Sequence, residues 1–401
     1  MNNAVIYDGI RSPFGRFGGG LSVKRPDDLA AAVIKALLDR NGIESSLVED
    51  VVFGNTNQAG EDSRNVARNA ALLAGMHTSV GGVTVNRLCG SGAAATLDAS
   101  RAISCGQGQL FISGGVESMS RSPWVLGKAE TSFDRNQQMY DSLLGWRFPN
   151  KRLLKQYGDD AMPQTADNLA RDFNISREDS DAFAFASQQK YEGAKNAGFY
   201  DGELMEIEVP AKRRKDPPVK VTADEHPRPG TTLEKLSTLP ALFEDGVVTA
   251  GNASGINDGA VALLLGNEDI GRKLGLTPRA RILTGAVAGV EPRVMGIGPV
   301  PASQKALQRA GLSLSDMDVI EINEAFATQV LGCLKQLQVD FQDERVNPNG
   351  GAISIGHPLG ASGGRLILTA LRQLEKIEGR YALITMCIGI GQGIAVVIER
   401  I

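Results

Sequence analysis

The feature that most constrains this chain is that it repeats itself. ALLDRNGI followed by EDVVFGN (36–43 and 49–55) has a counterpart in ALQRAGL followed by MDVIEIN (306–312 and 317–323). Each reads as a helix stopped by glycine, a short link and an apolar strand. Asp50-Val51 aligns with Asp318-Val319, 268 residues on. VNRLCGSGAAA around Cys89 parallels SIGHPLGASGG around His357 at the same spacing, and GQLFISGG (108–115) parallels RYALITMC (380–387) at about 272. Three matches in order at nearly one spacing point to a duplication.

The repeated unit alternates strands and helices, which predicts an α/β fold with largely parallel sheets covered by helices. VVFG, LFISG, VIEIN and YALITMC are continuously apolar, as doubly buried strands are. Two such halves are expected to pack together, with function at the loops following the strand C-termini. Residues 122–246 behave differently: they are rich in charge (KRRKDPP, DEHPRPG) and in proline. One helix is clear there, capped by Ser176 with Glu178 and Asp179 in its first turns. The division expected is a first half of 1–121 with 247–273, an inserted loop domain at 122–246 lying over the site, and a second half at 274–401.

Composition excludes some functions. A net charge of −4 over 401 residues gives no broad basic surface for nucleic acid. No stretch approaches the roughly 20 unbroken apolar residues that span a bilayer, and the N-terminus resembles a first strand and turn rather than a leader. A cytoplasmic protein without structural disulfides is expected, since no cysteine pair has metal-type spacing.

The chemistry-bearing candidates sit where glycine concentrates. In GGVTVNRLCGSGAAATLDASRAISCG (81–106), Val83 and Val85 alternate as in a strand, and small residues then build a helix. Cys89 therefore stands at a strand-to-helix turn. Helix N–H groups there are expected to lower its pKa and to hold an oxyanion; the alternative is a buried, inert cysteine. Cys105 and Cys333 read as core. Cys387 ends the strand YALITMC and opens the glycine loop IGIGQG, a position suited to an acid/base partner of near-neutral pKa. Asn323 ends the strand DVIEIN, either as a helix N-cap or as a holder of water in an oxyanion site. His77 and His226 lie in polar stretches and read as surface residues, which leaves His357 as the histidine candidate.

NRLCGSG, GGVESMSRSP, TAGNASGINDGA, INEAFA, NPNGGAISIGHPLGASGGR and CIGIGQG occur in this order across essentially the whole chain. With them the chain resembles the thiolases. The resemblance implies a five-layer αβαβα fold of two duplicated halves plus a loop domain, assembled as a homotetramer of dimers. It implies Cys89 as the acylated nucleophile and His357 as the group that activates it and donates to the thioester oxygen. Cys387 would handle the α-carbon proton of acetyl-CoA, and Asn323 would position a water in a first oxyanion hole. The backbone N–H groups of Cys89 and Gly389 would form a second. Coenzyme A is implied as a substrate, with Ser254 and Met162 on the pantetheine and Arg228 and Phe243 flanking the adenine. The basic run 212–215 is a further phosphate candidate, though a solvated edge is the plainer reading. This chemistry requires no metal or redox cofactor.

Acetoacetyl-CoA biosynthetic members carry a His before the methionine matching Met162, where this chain has Ala161. GEDSRNVARNAALLAG, MYDSLLGWRFPN and GVEPRVMGIGPVPA are most similar to the 3-oxoadipyl-CoA thiolases of aromatic-acid degradation. That substrate ends in a carboxylate, so a cation near the acyl pocket is expected, with Arg147 and Arg121 as candidates. An acetoacetyl-CoA or broad-range 3-ketoacyl-CoA thiolase, a condensing enzyme, and a non-catalytic CoA- or lipid-binding scaffold are the alternatives.

Overall fold

A computed structural model describes residues 3–211, 213 and 215–401. The first half comprises β1 (Val5–Arg11), β2 (Gly15–Arg16), α1 (Pro26–Asn41), β3 (Asp50–Gly54), α2 (Val66–Leu73), β4 (Val83–Val85), α3 (Ser91–Ser104) and β5 (Leu110–Ser118). The stretch 122–246 adds β6 (Trp124–Leu126), β7 (Met139–Asp141), α4 (Lys151–Tyr157), α5 (Met162–Phe173), α6 (Arg177–Asn196), β8 (Ile207–Val209), β9 (Val219–Val221) and α7 (Leu233–Ser237). β10 (Asn257–Gly266) and α8 (Glu268–Leu274) return to the first half. The second half is β11 (Ala280–Gly289), α9 (Pro299–Ala310), β12 (Val319–Ile322), α10 (Ala327–Leu337), α11 (Ala352–Ile355), α12 (Leu359–Ile377), β13 (Tyr381–Ile388) and β14 (Gln392–Arg400).

The strand order β4-β3-β5-β10-β1 of the first half is mirrored by β12-β13-β14-β11 in the second. A short pairing of Val5 with Arg281 and Ile6 with Ala280 joins them. The sheet is mixed rather than largely parallel: only β3–β4, β3–β5 and β12–β13 run parallel among the described residues. The reason is connectivity. β14 returns from β13 through a tight turn at 389–391, and a hairpin is antiparallel by construction. β10 enters from the far side of the insertion and pairs antiparallel with both β1 and β5.

Helices α3 and α12 lie against one another and touch strands of both halves, α1 and α2 cover the outer face of the first half, and α9 packs on β11 and β14. The result is the five-layer αβαβα arrangement. Three apolar clusters follow the layers, one around α3 and α12 and one under each outer helical layer. Glycine permits the central crossing. A Cβ on Gly92 of α3 would sit 2.7 Å from the carbonyl oxygen of Gly360 in α12. The crossing brings together the N-terminal ends of both central helices.

Register also refines the duplication. Val51 pairs with Ile112, and its counterpart Val319 pairs with Ala382. Followed along β5 and β13, this places Glu117 opposite Cys387 in the repeat, two residues from the sequence-based alignment. Asn55 and Asn323 correspond, as do Cys89 and His357.

Within 122–246, Ser176 caps α6 with Asp179 completing a capping box. Lys212 and Arg214 of the basic run lie outside the described residues; Arg213 and Lys215 are exposed.

Candidate active site

Cys89 stands two residues before α3, in the turn that follows β4. Leu88 is held at φ 45, a conformation unusual for a non-glycine residue, between the bridged pair Arg87 and Cys89. The Ser91 hydroxyl fixes the turn: it accepts from the Arg87 N–H at 2.9 Å and donates to the Leu88 carbonyl at 2.6 Å. The turn packs on the β13–β14 hairpin, where a Cβ on Gly90 would lie 2.6 Å from Ile388 Cδ1. The N–H groups of Gly389 and of Cys89 itself point at the Cys89 sulfur. The thiol is nevertheless pushed up to about 11, because burial outweighs both donors and the nearby Glu117 charge adds to it. The expected lowering at the helix terminus is therefore corrected: two N–H groups do not offset desolvation here.

His357 precedes α12 as Cys89 precedes α3. Gly356, at φ 110, lets the chain turn tightly against Asn257. Asn257 Oδ1 accepts the His357 N–H at 2.8 Å, and its Nδ2 donates to the Gly15 carbonyl. The Ser362 hydroxyl lies 2.6 Å from His357 Nδ1 and 2.9 Å from the Pro358 carbonyl. That carbonyl can only accept, so Ser362 gives it its proton and Nδ1–H donates to Ser362. This assigns the tautomer: Nε2 carries the free lone pair. Asn323 Nδ2 sits 3.3 Å from Nε2. Burial first, then the Arg365 charge, pull the imidazole down to about 3, so it is neutral in the resting site.

Asn323 is fully buried and donates its backbone N–H to the Thr385 carbonyl at 3.0 Å. Its Oδ1 has no partner among the described residues. It is not an N-cap, since α10 begins at Ala327 with Phe326 in that position. Cys387 is buried beside Met295, Ala325 and Phe326. Burial raises its thiol well above the ordinary value, and the Cys89 charge is the next cause, so the two sulfurs sense one another. Neither thiol is tuned toward neutrality, contrary to expectation.

Ser254 and Met162 both reach this region. The Ser254 N–H donates to the Ala325 carbonyl at 2.9 Å, and Met162 Sδ lies 3.7 Å from where a Cβ on Gly389 would be. Arg228 and Phe243 are exposed farther along the loop region. His226 is not a surface residue: it is half-buried over Gly255, where a Cβ would overlap its ring, and burial shifts it down to about 4. Cys105 is exposed rather than core, because it caps the C-terminus of α3 where the helix leaves the sandwich. Cys333 is buried as expected. Arg121 is spent on Glu61, which takes both its Nε and Nη2. Among the described residues Arg147 donates only to the carbonyls of Ser142 and Asn57, at 3.2 and 2.6 Å. Ser362 and Asn257 carried no assignment from sequence; the only available signal was their place within glycine-rich motifs.

Models of the thiolase N-terminal and C-terminal domains match residues 4–269 and 276–400. The chain belongs to the thiolase family. It is an acyltransferase, and the gap between the two matches falls across α8, before β11. This thiolase is 55% identical over 403 aligned residues to the 3-oxoadipyl-CoA/3-oxo-5,6-dehydrosuberyl-CoA thiolase of Escherichia coli K12, covering 100% of both chains. It is 56% identical over 398 to the beta-ketoadipyl-CoA thiolase of Pseudomonas aeruginosa, covering 99% and 98%, and 44% identical over 399 to the acetyl-CoA acetyltransferase of Allochromatium vinosum, covering 99% of each. Among solved structures, human mitochondrial 3-ketoacyl-CoA thiolase in complex with CoA superposes with a TM-score of 0.91 at 39% identity, covering 100% of this thiolase and 98% of that chain.

Proposed function

We propose that this thiolase cleaves 3-oxoadipyl-CoA with CoA, giving succinyl-CoA and acetyl-CoA through an acyl-Cys89 intermediate. The observation that carries the substrate is full-length identity of 55–56% to thiolases named for it, against 44% to an acetyl-CoA acetyltransferase.

The geometry supports a division of roles. His357 Nε2 accepts the Cys89 proton, and the sulfur attacks the 3-oxo carbon. The resulting alkoxide faces the N–H groups of Cys89 and Gly389. Cleavage of the bond between C2 and C3 leaves succinyl on Cys89 and releases the enolate of acetyl-CoA. Its oxygen is stabilised by protonated His357 Nε2 and by a water on Asn323, whose unpartnered Oδ1 supports that assignment. Cys387 gives the enolate its proton and recovers one from incoming CoA. The CoA thiolate takes the acyl group, and His357 returns the proton to Cys89. Held protonated by burial, both thiols act only as these transfers occur.

CoA lies along Ser254 and Met162, with Arg228 and Phe243 outward at its adenine end. Arg147, whose described contacts are main-chain carbonyls, is the cation for the distal carboxylate of the substrate. The enzyme acts in the cytoplasm as a dimer of dimers, and exposed apolar side chains on and beside β6 and β7 (Trp124, Leu126, Phe133, Met139) support a partner surface there.

The test is direct. With CoA, 3-oxoadipyl-CoA is expected to be consumed at least tenfold faster than acetoacetyl-CoA, and Cys89→Ala to abolish both turnover and the acyl adduct seen by mass spectrometry. Faster acetoacetyl-CoA cleavage would reassign the substrate; an adduct persisting in Cys89→Ala would reassign the nucleophile.

A further inference from the structure

Glu117 belongs to no step above, yet it is buried at the end of β5 and fully engaged. Its Oε2 accepts from the N–H of Gly360 at 2.9 Å and of Thr56 at 3.1 Å, and its Oε1 from the N–H of Asn57 at 3.1 Å. These bonds lead to both reactive turns. Gly360 lies three residues past His357, in the first turn of α12. Thr56 accepts at its carbonyl from Asn86 Nδ2 at 3.1 Å, and Asn86 Oδ1 accepts the N–H of Leu88 at 3.0 Å, next to Cys89. One carboxylate thus spans the two halves, tying the first turn of α12 to the loop after β3, which in turn holds the Cys89 turn through Asn86. In the repeat Glu117 occupies the position that Cys387 holds in the second half. The duplication has therefore placed a structural anion where its twin carries an acid/base thiol.

We propose that Glu117 is a positioning residue that sets the Cys89 turn against His357 through its backbone bonds to Gly360 and, by way of Thr56 and Asn86, to Leu88. The proposal rests on Cys89 and His357 acting as argued above. Three N–H donors converging on two oxygens suit a carboxylate alone, since an amide has one acceptor and would turn an NH2 toward a donor. Burial with Asp62 nearby raises Glu117 to about 7. The Glu117 charge acts on the Cys89 thiol, and the Cys89 charge acts on Cys387.

Glu117→Gln keeps the volume, removes the charge and mismatches one bond. The expected result is a kcat loss of tenfold or more with KM for the acyl-CoA unchanged within about twofold. Alongside it, the pH midpoint of Cys89 alkylation by iodoacetamide, read on the Cys89 peptide by mass spectrometry, moves down by at least half a unit. A residue that only stabilised the fold would lower melting temperature without moving that midpoint. Unchanged kcat, or an unshifted midpoint, overturns the proposal. If Glu117→Gln fails to fold, Asn86→Ala severs the Cys89 branch alone; it is expected to lower kcat at constant KM, and unchanged kcat there overturns the proposal equally. The wild-type acyl adduct on Cys89 is measured in parallel, so that failure of the nucleophile assignment is separable from failure of this one.

Discussion

Gly389 offers a clean probe of the proposed oxyanion site, because its contribution is a backbone N–H that one substitution can delete. The residue opens the turn between β13 and β14, outside the ladder that ends at Ile388 and Gln392. Its N–H is one of two aimed at the Cys89 sulfur. Gly389→Pro removes that donor, and Ile388 in extended strand conformation accommodates a following proline. Gly389→Ala keeps the donor. Either Cβ would meet Leu88 Cδ1 at 3.2 Å and Met162 Sδ at 3.7 Å, both ends of flexible side chains that can give way. Losing one donor to a developing oxyanion in a dry site costs about 2.7–4 kcal/mol, or roughly 10²–10³ in kcat. The proline variant should show that loss in CoA-dependent cleavage, with the alanine variant within about tenfold of wild type. Alkylation of Cys89 in both variants controls for the ring blocking the sulfur. With one donor fewer, the thiol should also titrate higher and alkylate more slowly at fixed pH. If the proline variant keeps more than a tenth of the alanine variant's kcat, the Gly389 N–H does not hold the oxyanion.

Two further outcomes can be checked. His357 binds its proton near pH 3 in the folded protein against 6.5 ordinarily, so above 6.5 it adds nothing to the pH dependence of stability; between 6.5 and 3 the unfolded chain takes up a proton that the folded one refuses, which costs up to about 1.4 kcal/mol per pH unit. The stability advantage of wild type over His357→Asn in urea titrations should therefore shrink as pH falls from 6.5 to 4.5, and a constant difference contradicts the burial argument. Arg147→Met should raise KM for 3-oxoadipyl-CoA tenfold or more, as expected for losing about 1.5–3 kcal/mol of charged hydrogen bonding, while acetoacetyl-CoA kinetics stay within twofold; equal effects on both substrates remove Arg147 from the acyl pocket.

What was legible in the sequence was periodic or local. The duplication predicted two packed halves, the apolar runs marked β3, β5, β12 and β13, and Ser176 marked the start of α6. Strand direction was not legible, because an apolar run reads the same both ways; the 389–391 turn and the late return of β10 decided it. Cys105 was misread because its neighbours in the helix read as apolar, although the end of α3 protrudes. His226 was misread because its sequence neighbours are polar, whereas its burial comes from Gly255, far along the chain. The thiol shifts failed for a related reason. Helix N–H groups can be inferred locally, but desolvation is set by everything packed around the sulfur, and here desolvation dominates.

The duplication itself explains how the site is divided. Three positions recur in the two halves: Asn55 with Asn323, Cys89 with His357, and Glu117 with Cys387. Asn55 is spent on its own half, its Nδ2 on the Val116 carbonyl at 3.0 Å and its Oδ1 on the Gln58 N–H at 3.3 Å. Asn323 turns Nδ2 to His357 and leaves Oδ1 unpartnered. The scaffold thus offers each position twice, at the N-terminal ends of crossed helices and at neighbouring strand ends. In the proposed reaction the first half keeps the nucleophile and uses its other two positions to hold the frame; the second keeps the base, the proton-bearing thiol and the open amide. Because α3 and α12 meet at Gly92 and Gly360, the proposed nucleophile of one half and the proposed base of the other are positioned by the same contact. A side chain on Gly92 would push α3 off α12, and one on Gly360 would push α12 off the carbonyls of Val116 and Gly54, so the crossing is a condition of the proposed chemistry as well as of the fold.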